Sequence, residues 1–364
     1  MSLTIDIAGL SPERIVFAPS PLAELSAALH ALAEPAHHPG LHSWTTTTAC
    51  ALKPELADRL QEADFLWRTT RSDMLLPPDP GATLAEDLDR LDELPEEQFV
   101  MAALEISCSA QYGTARPNPL HDGAERERTR ERAAARGPAQ AAFVERILAD
   151  PPAVRAWLRR LFEDCEQAFF GDTWQRVRFQ LAADARHKAE LLRHKGLAEA
   201  LAAVSPALTL DTERQQIVVD KLVTGGTSAT QPGDRHGITF VPTAFGWPHL
   251  LVLHAPGWKP VVHYPVNSPE LPRPQALDIV QLRLEAVAHP VRMKLCRTLA
   301  RGAHTTGELA TAHNITAPEV SRHMAVLKKA GLLSTRRRGR YVLHHLDLTA
   351  MARLGTDFLE SVLR

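Results

Sequence analysis

Arg336, Arg337 and Arg338 are consecutive, and Gly339 separates them from Arg340. Four guanidinium groups this close repel one another unless a polyanion lies beside them. Their planar donor forks match phosphate oxygens. The flanking stretches 332–336 and 341–344 are rich in strand formers, so the arginines sit on a predicted hairpin whose turn Gly339 supplies. Such a hairpin can lie along a sugar-phosphate backbone or enter a minor groove.

The residues upstream can position a second contact. A helix is expected over 276–287. Another follows His289-Pro290, with Val291, Leu295 and Leu299 inward. After a turn at Gly302-Ala303-His304, Thr305 or Thr306 can cap a short helix that buries Leu309. Thr316 with Glu319 three residues on reads as a capping box, and Pro318 suits the first turn. Val320, Met324 and Leu327 then share one face, Ser321 and Arg322 fall on another, and Gly331 ends the helix. Two helices, a polar turn and a basic hairpin in this order form a winged helix-turn-helix. The residues expected to touch DNA are Thr316, Ser321, Arg322, His323, Lys328, Arg336, Arg337, Arg338 and Arg340.

Charge follows the same division. Residues 276–364 hold 14 Lys and Arg against 7 Asp and Glu, a net of +7; the rest holds 27 against 36, a net of −9. A basic module on an acidic body suits a nucleic-acid binder whose body binds something else. No apolar run approaches the roughly 20 residues that span a bilayer, and the first residues do not form a signal peptide. A cytoplasmic protein without membrane contact is expected. Cys50, Cys108, Cys165 and Cys296 are far apart, with no CxxC pair, which points to reduced thiols.

The expected fold class is α+β: a mostly helical N-terminal body with a small antiparallel sheet, then the C-terminal winged helix-turn-helix. The expected divisions are a helical region 1–110, a second part of the same body at 139–264 with helices and sheet, and a DNA-binding domain at 276–364. Leu3, Ile5 and Ile7 alternate as in a strand. Ser20 and Pro21 open a helix whose apolar face is Leu22, Leu25, Ala28, Leu29 and Leu32. Further helices are expected at 54–62, 82–92, 96–108 and 172–195. Segment 111–138, with nearly balanced charges, reads as a solvated helix or a mobile connection. Short β-rich runs between 217 and 264 suggest three to five antiparallel strands, and four prolines in 265–274 mark a stiff boundary.

Other chemistry has little support in the body. GxSxG, HExxH, a phosphate loop and GxGxxG are all missing. His37-His38, His121-Asp122 and His187 stand isolated and read as surface or core histidines. The expectation is no enzyme, no catalytic residues, no metal ligands and no cofactor. Phe245, Trp247 and Trp258 beside the sheet either line an apolar pocket or serve as packing.

The C-terminal stretch resembles the ArsR family of winged-helix repressors. The resemblance is carried by His289-Pro290-Val291-Arg292, Glu308-Leu309-Ala310, the run 320–327 from Val320 to Leu327, Ala330-Gly331-Leu332-Leu333 and Arg338-Gly339-Arg340-Tyr341. It implies a homodimer on a near-palindromic operator. The first and last helices would form the dimer interface, through Leu284, Leu354, Phe358, Leu359 and Val362. Metal-sensing members of that family carry a Cys-x-Cys before the turn or an acidic and histidine set on the last helix. Here 308–313 has no Cys, and the last helix offers Asp357 and Glu360 but no His. The body resembles a domain of uncharacterised function that precedes such winged helices in actinobacterial regulators. That resemblance rests on 16–25, 239–248 and Tyr264-Pro265.

The expectation is a sequence-specific DNA-binding transcription regulator, a homodimeric repressor on a double-stranded operator. An unidentified signal, a small-molecule effector among the options, would gate it through the body and not through a standard metal site. The alternative is a protein-interaction module that uses the winged helix for docking without DNA.

Overall fold

Residues 2–68, 71–108, 116–221, 225–266, 276–338 and 341–363 are described by a computed structural model of the chain. They form two compact units, Met1–Pro272 and Arg273–Arg364.

The first unit opens with two strands, β1 (Ser2–Asp6) and β2 (Ile15–Phe17). Among the described residues ten α-helices follow: α1 (Pro21–Ala33), α2 (His42–Ala51), α3 (Pro54–Ala63), α4 (Leu84–Glu93), α5 (Glu96–Cys108), α6 (Gly123–Arg136), α7 (Pro138–Ala149), α8 (Pro151–Cys165), α9 (Gly171–Lys195) and α10 (Leu197–Val204). Strands β3 (Leu208–Asp211), β4 (Gln216–Asp220), β5 (Gly225–Ser228), β6 (Ile238–Thr243), β7 (Leu251–Leu253) and β8 (Val261–Pro265) complete it. The α+β class is as expected. Helix α1 starts where its cap is, since the Ser20 side chain accepts from the backbone N–H of Ala23, with Pro21 in the first turn. The buried Asp87 carboxylate accepts from both the Ser20 hydroxyl and the Leu22 N–H, which locks α1 to α4.

The strands differ from the single antiparallel sheet expected for 217–264. They form two four-stranded mixed sheets, ordered β3-β4-β1-β5 and β2-β6-β8-β7. The cause is the N-terminal strands. β1 inserts between β4 and β5, antiparallel to one and parallel to the other, which places Ile5 opposite Ile217. β2 joins the other sheet parallel to β6, with Phe17 stacked on Phe240 at 4.8 Å. Such pairings are invisible to local periodicity.

Segment 111–138 takes the helical one of its two expected forms where it is described. Over 123–136 it is the regular helix α6, packed on α7 with Glu125, Thr129 and Ala133 buried. The apparent balance of charge hides an ion-pair cluster in which buried Glu125 faces Arg116, Arg128 and Arg132. The proline-rich stretch 267–275 lies outside the described residues.

The second unit is a winged helix. Helices α11 (Leu277–Val287) and α12 (Pro290–Leu299) precede β9 (His304–Thr305), α13 (Thr306–His313) and α14 (Ala317–Lys329). The hairpin β10 (Leu333–Arg338) and β11 (Tyr341–Leu346) and the helix α15 (Leu348–Leu363) follow. β11 pairs antiparallel with β10 on one side and β9 on the other. Leu295, Leu299, Leu309, Val320, Met324, Leu327 and Leu332 form its core.

Candidate nucleic-acid interface

The turn between α13 and α14 is set by two caps and one left-handed residue. Thr305 and Glu308 form a complete capping box on α13. Asn314 closes that helix at φ 51°, a conformation that asparagine tolerates better than most residues. Thr316 then caps α14 by accepting from the Glu319 N–H at 3.3 Å, with Pro318 in the first turn. The cap expected at Thr316 is therefore present, while the reciprocal box is formed one helix earlier. At the other end the Gly331 N–H donates to the Lys328 carbonyl and the Leu332 N–H to the Leu327 carbonyl. This Schellman ending uses φ 68° at Gly331, which suits glycine.

These boundaries fix which face of α14 is free. Val320, Met324 and Leu327 are buried, whereas Thr316, Ser321, Arg322 and Lys328 are exposed. His323 is half-buried, its ring 4.9 Å from that of His289. Burial, then the neighbouring His289 and Arg292, lower its pKa. On the hairpin Arg336 and Arg337 are exposed. Nothing is described of the Arg338 side chain, and Gly339 and Arg340 lie outside the described residues. The turn expected at Gly339 therefore falls outside them too.

The helices expected at a dimer interface pack on each other within one chain. Asp357 on α15 is fully buried and paired with Arg283 and Arg353, so its carboxylate is not free to bind an ion. Leu284, Phe358, Leu359 and Val362 are exposed to between 37% and 47%, and Leu354 is half-buried, so α11 and α15 keep an uncovered apolar face. His344 is buried, its Nε2 3.0 Å from the Thr306 hydroxyl, and it ties β11 to α13.

In the first unit, Phe245, Trp247 and Trp258 are all buried. Phe245 packs on Trp44, and Trp258 edges a cavity of about 460 Å³ shared with Met101, Glu105 and Arg116. His121 Nε2 lies 2.8 Å from the exposed Glu97 carboxylate. His37-His38, expected to stand isolated, does not. His38 gathers with His30 and His249, and the His37 ring lies beside them. Local reading missed this because His30 and His249 are 219 residues apart. Among the described residues no helix is long and apolar enough to cross a membrane.

A capped helix with an exposed basic face, next to a basic two-stranded hairpin, defines the class: a winged helix-turn-helix that binds DNA. A sequence profile described as a family of unknown function, DUF5937, matches residues 1–270, and one described as a helix-turn-helix domain matches 287–336. The chain belongs to the DUF5937 family and ends in an ArsR-type DNA-binding domain of a transcription regulator. It is 34% identical over 93 residues to the biofilm growth-associated repressor of Agrobacterium fabrum, covering 25% of this chain and 80% of that protein. It is 34% identical over 102 residues to the HTH-type transcriptional repressor SmtB of Mycobacterium tuberculosis, covering 25% of this chain and 76% of that one. Against the crystal structure of the transcriptional repressor BigR from Xylella fastidiosa the identity is 30%, with a TM-score of 0.20, over 22% of this chain and 82% of that chain.

Proposed function

We propose that the protein is a homodimeric transcriptional repressor working in the cytoplasm, whose two winged helices read a double-stranded operator with half-sites about 34–36 Å apart. The observation that carries the proposal is the shared exposure of Ser321 and Arg322 on α14 and of Arg336 and Arg337 on β10, while the opposite face of α14 is buried. Ser321 and Arg322 contact base edges, with His323 beside them restrained by His289. Thr316, Lys328 and the arginines 336–338 and 340 hold phosphates or the minor groove. The apolar face of Leu284, Leu354, Phe358, Leu359 and Val362 closes the dimer. The DUF5937 body receives the signal, a small-molecule effector or another ligand, and serves regulation rather than catalysis. The names of the two relatives, both repressors, support the sign of regulation. A mobility-shift assay with the protein's own upstream region tests the reading. Retardation at low salt that fades as salt rises is expected. Its absence at low salt supports a docking role without DNA.

A further inference from the structure

We propose that His30, His38 and His249 of the DUF5937 unit form a three-histidine site for a divalent late transition metal, zinc(II) first. The three come from separate parts of the unit. His30 lies in the last turn of α1, His38 just after it, and His249 in the loop between β6 and β7. One ligand nitrogen from each lies within 4.8 Å of the others.

Hydrogen bonding fixes which nitrogen faces the site. His30 Nδ1 is 2.8 Å from the Trp67 carbonyl and His38 Nδ1 is 2.6 Å from the Trp247 carbonyl. A carbonyl only accepts, so both Nδ1 atoms carry the proton and both Nε2 atoms present lone pairs. Neutral histidine oriented through its second nitrogen by a backbone carbonyl is the arrangement that metal-binding histidines use. His30 Nε2 lies 3.2 Å from His249 Nε2, and the edge between two nitrogens on tetrahedral zinc is about 3.3 Å at ordinary Zn–N distances. Among the described residues, His38 Nε2 is buried with no hydrogen-bond partner, an orphaned lone pair that a cation would satisfy.

The rings enclose a point and do not stack. Centroids lie 5.0 Å apart for His30 and His38, 5.0 Å for His30 and His249, and 5.3 Å for His38 and His249, at interplanar angles of 65° to 85°. The His37 ring centroid lies 5.6 Å from that of His249, and its Nδ1 is buried without a partner among the described residues. Imidazole ligands with no thiolate suit zinc, copper, nickel or iron over magnesium or calcium. The buried Arg71 guanidinium opposes a cation here, and the buried Glu24 carboxylate that faces Arg71 offsets it when ionised. The site lies in a different unit from Asp357 and the recognition helix.

The test uses the untagged full chain stripped with a chelator and then titrated with cobalt(II), whose visible absorption reports coordination, followed by displacement with zinc(II). One equivalent per chain is expected, with an intense four-coordinate spectrum that zinc abolishes. His38→Gln and His249→Gln, each checked for native circular dichroism, should weaken uptake on the order of 100-fold. His289→Gln and His345→Gln, in the other unit, should leave it unchanged. A stripped wild-type chain that takes up no cobalt and no zinc would overturn the assignment. So would wild-type uptake by a folded triple variant of the three histidines. Either result would leave a hydrogen-bonded histidine cluster without a metal role.

Discussion

Asp357 Oδ2 accepts from Arg283 Nη1 at 2.8 Å, with the carboxylate fully buried, and the pair ties the last helix of the winged unit to its first. Arg353 holds the other oxygen at 3.1 Å. Removing one partner of a buried pair leaves uncompensated charge. Asp357→Ala should therefore lower the stability of the winged unit by about 3 kcal/mol. Urea denaturation followed on that unit checks it. An unchanged midpoint would mean that apolar packing alone holds α11 to α15.

The wing arginines should act through charge. Replacing exposed Arg336 and Arg337 with Ala should weaken binding to all duplexes alike and reduce the slope of log K against log salt by about 2. Anisotropy titrations at four salt concentrations measure the slope. A wild-type slope in the double variant would remove the hairpin from the interface.

Among the described residues, Phe358, Leu359 and Val362 are exposed on α15. A Phe358→Asp, Leu359→Asp double variant should sediment as a monomer and lose operator affinity at least tenfold, because each half-site is then bound alone. If it remains a dimer, the interface lies elsewhere.

Glu24 gives a pH signature in the first unit. Burial is the main cause that raises its pKa to about 7, against lowering contacts from Thr243, Ala244 and Arg71. The folded state therefore holds this proton more tightly than the unfolded chain does. Its contribution is fully present below about pH 4.5 and is lost as pH rises through about 7. The stability difference between wild type and Glu24→Gln should shift toward wild type by about 3 kcal/mol from pH 8 to pH 4.5. A difference flat across that range would show that Glu24 is ionised in both states.

Much of the second unit is legible in the sequence because its signals are local. Thr316, Pro318 and Gly331 bound α14, and the spacing of Val320, Met324 and Leu327 names its buried face. The first unit is less legible because its decisive contacts are distant. Leu3 and Ile5 look like a strand, but nothing nearby says that they pair with Val219 and Ile217. His37-His38 reads as an isolated pair, on the surface or in the core, until α1 and the β6–β7 loop bring His30 and His249 beside it. The pairing of β11 with β9 likewise brings His344 inward onto Thr306, a contact that local periodicity does not show.

The direct test of DNA reading is the ratio of affinities for the protein's upstream duplex and an unrelated duplex of equal length, for wild type and Arg322→Ala at one salt concentration. Arg322 is exposed on the free face of α14, and a bidentate base contact is worth about 1–3 kcal/mol of discrimination. The predicted result is a ratio reduced by about 5- to 150-fold in the variant, with affinity for the unrelated duplex much less affected. A ratio equal to that of wild type would contradict recognition through α14.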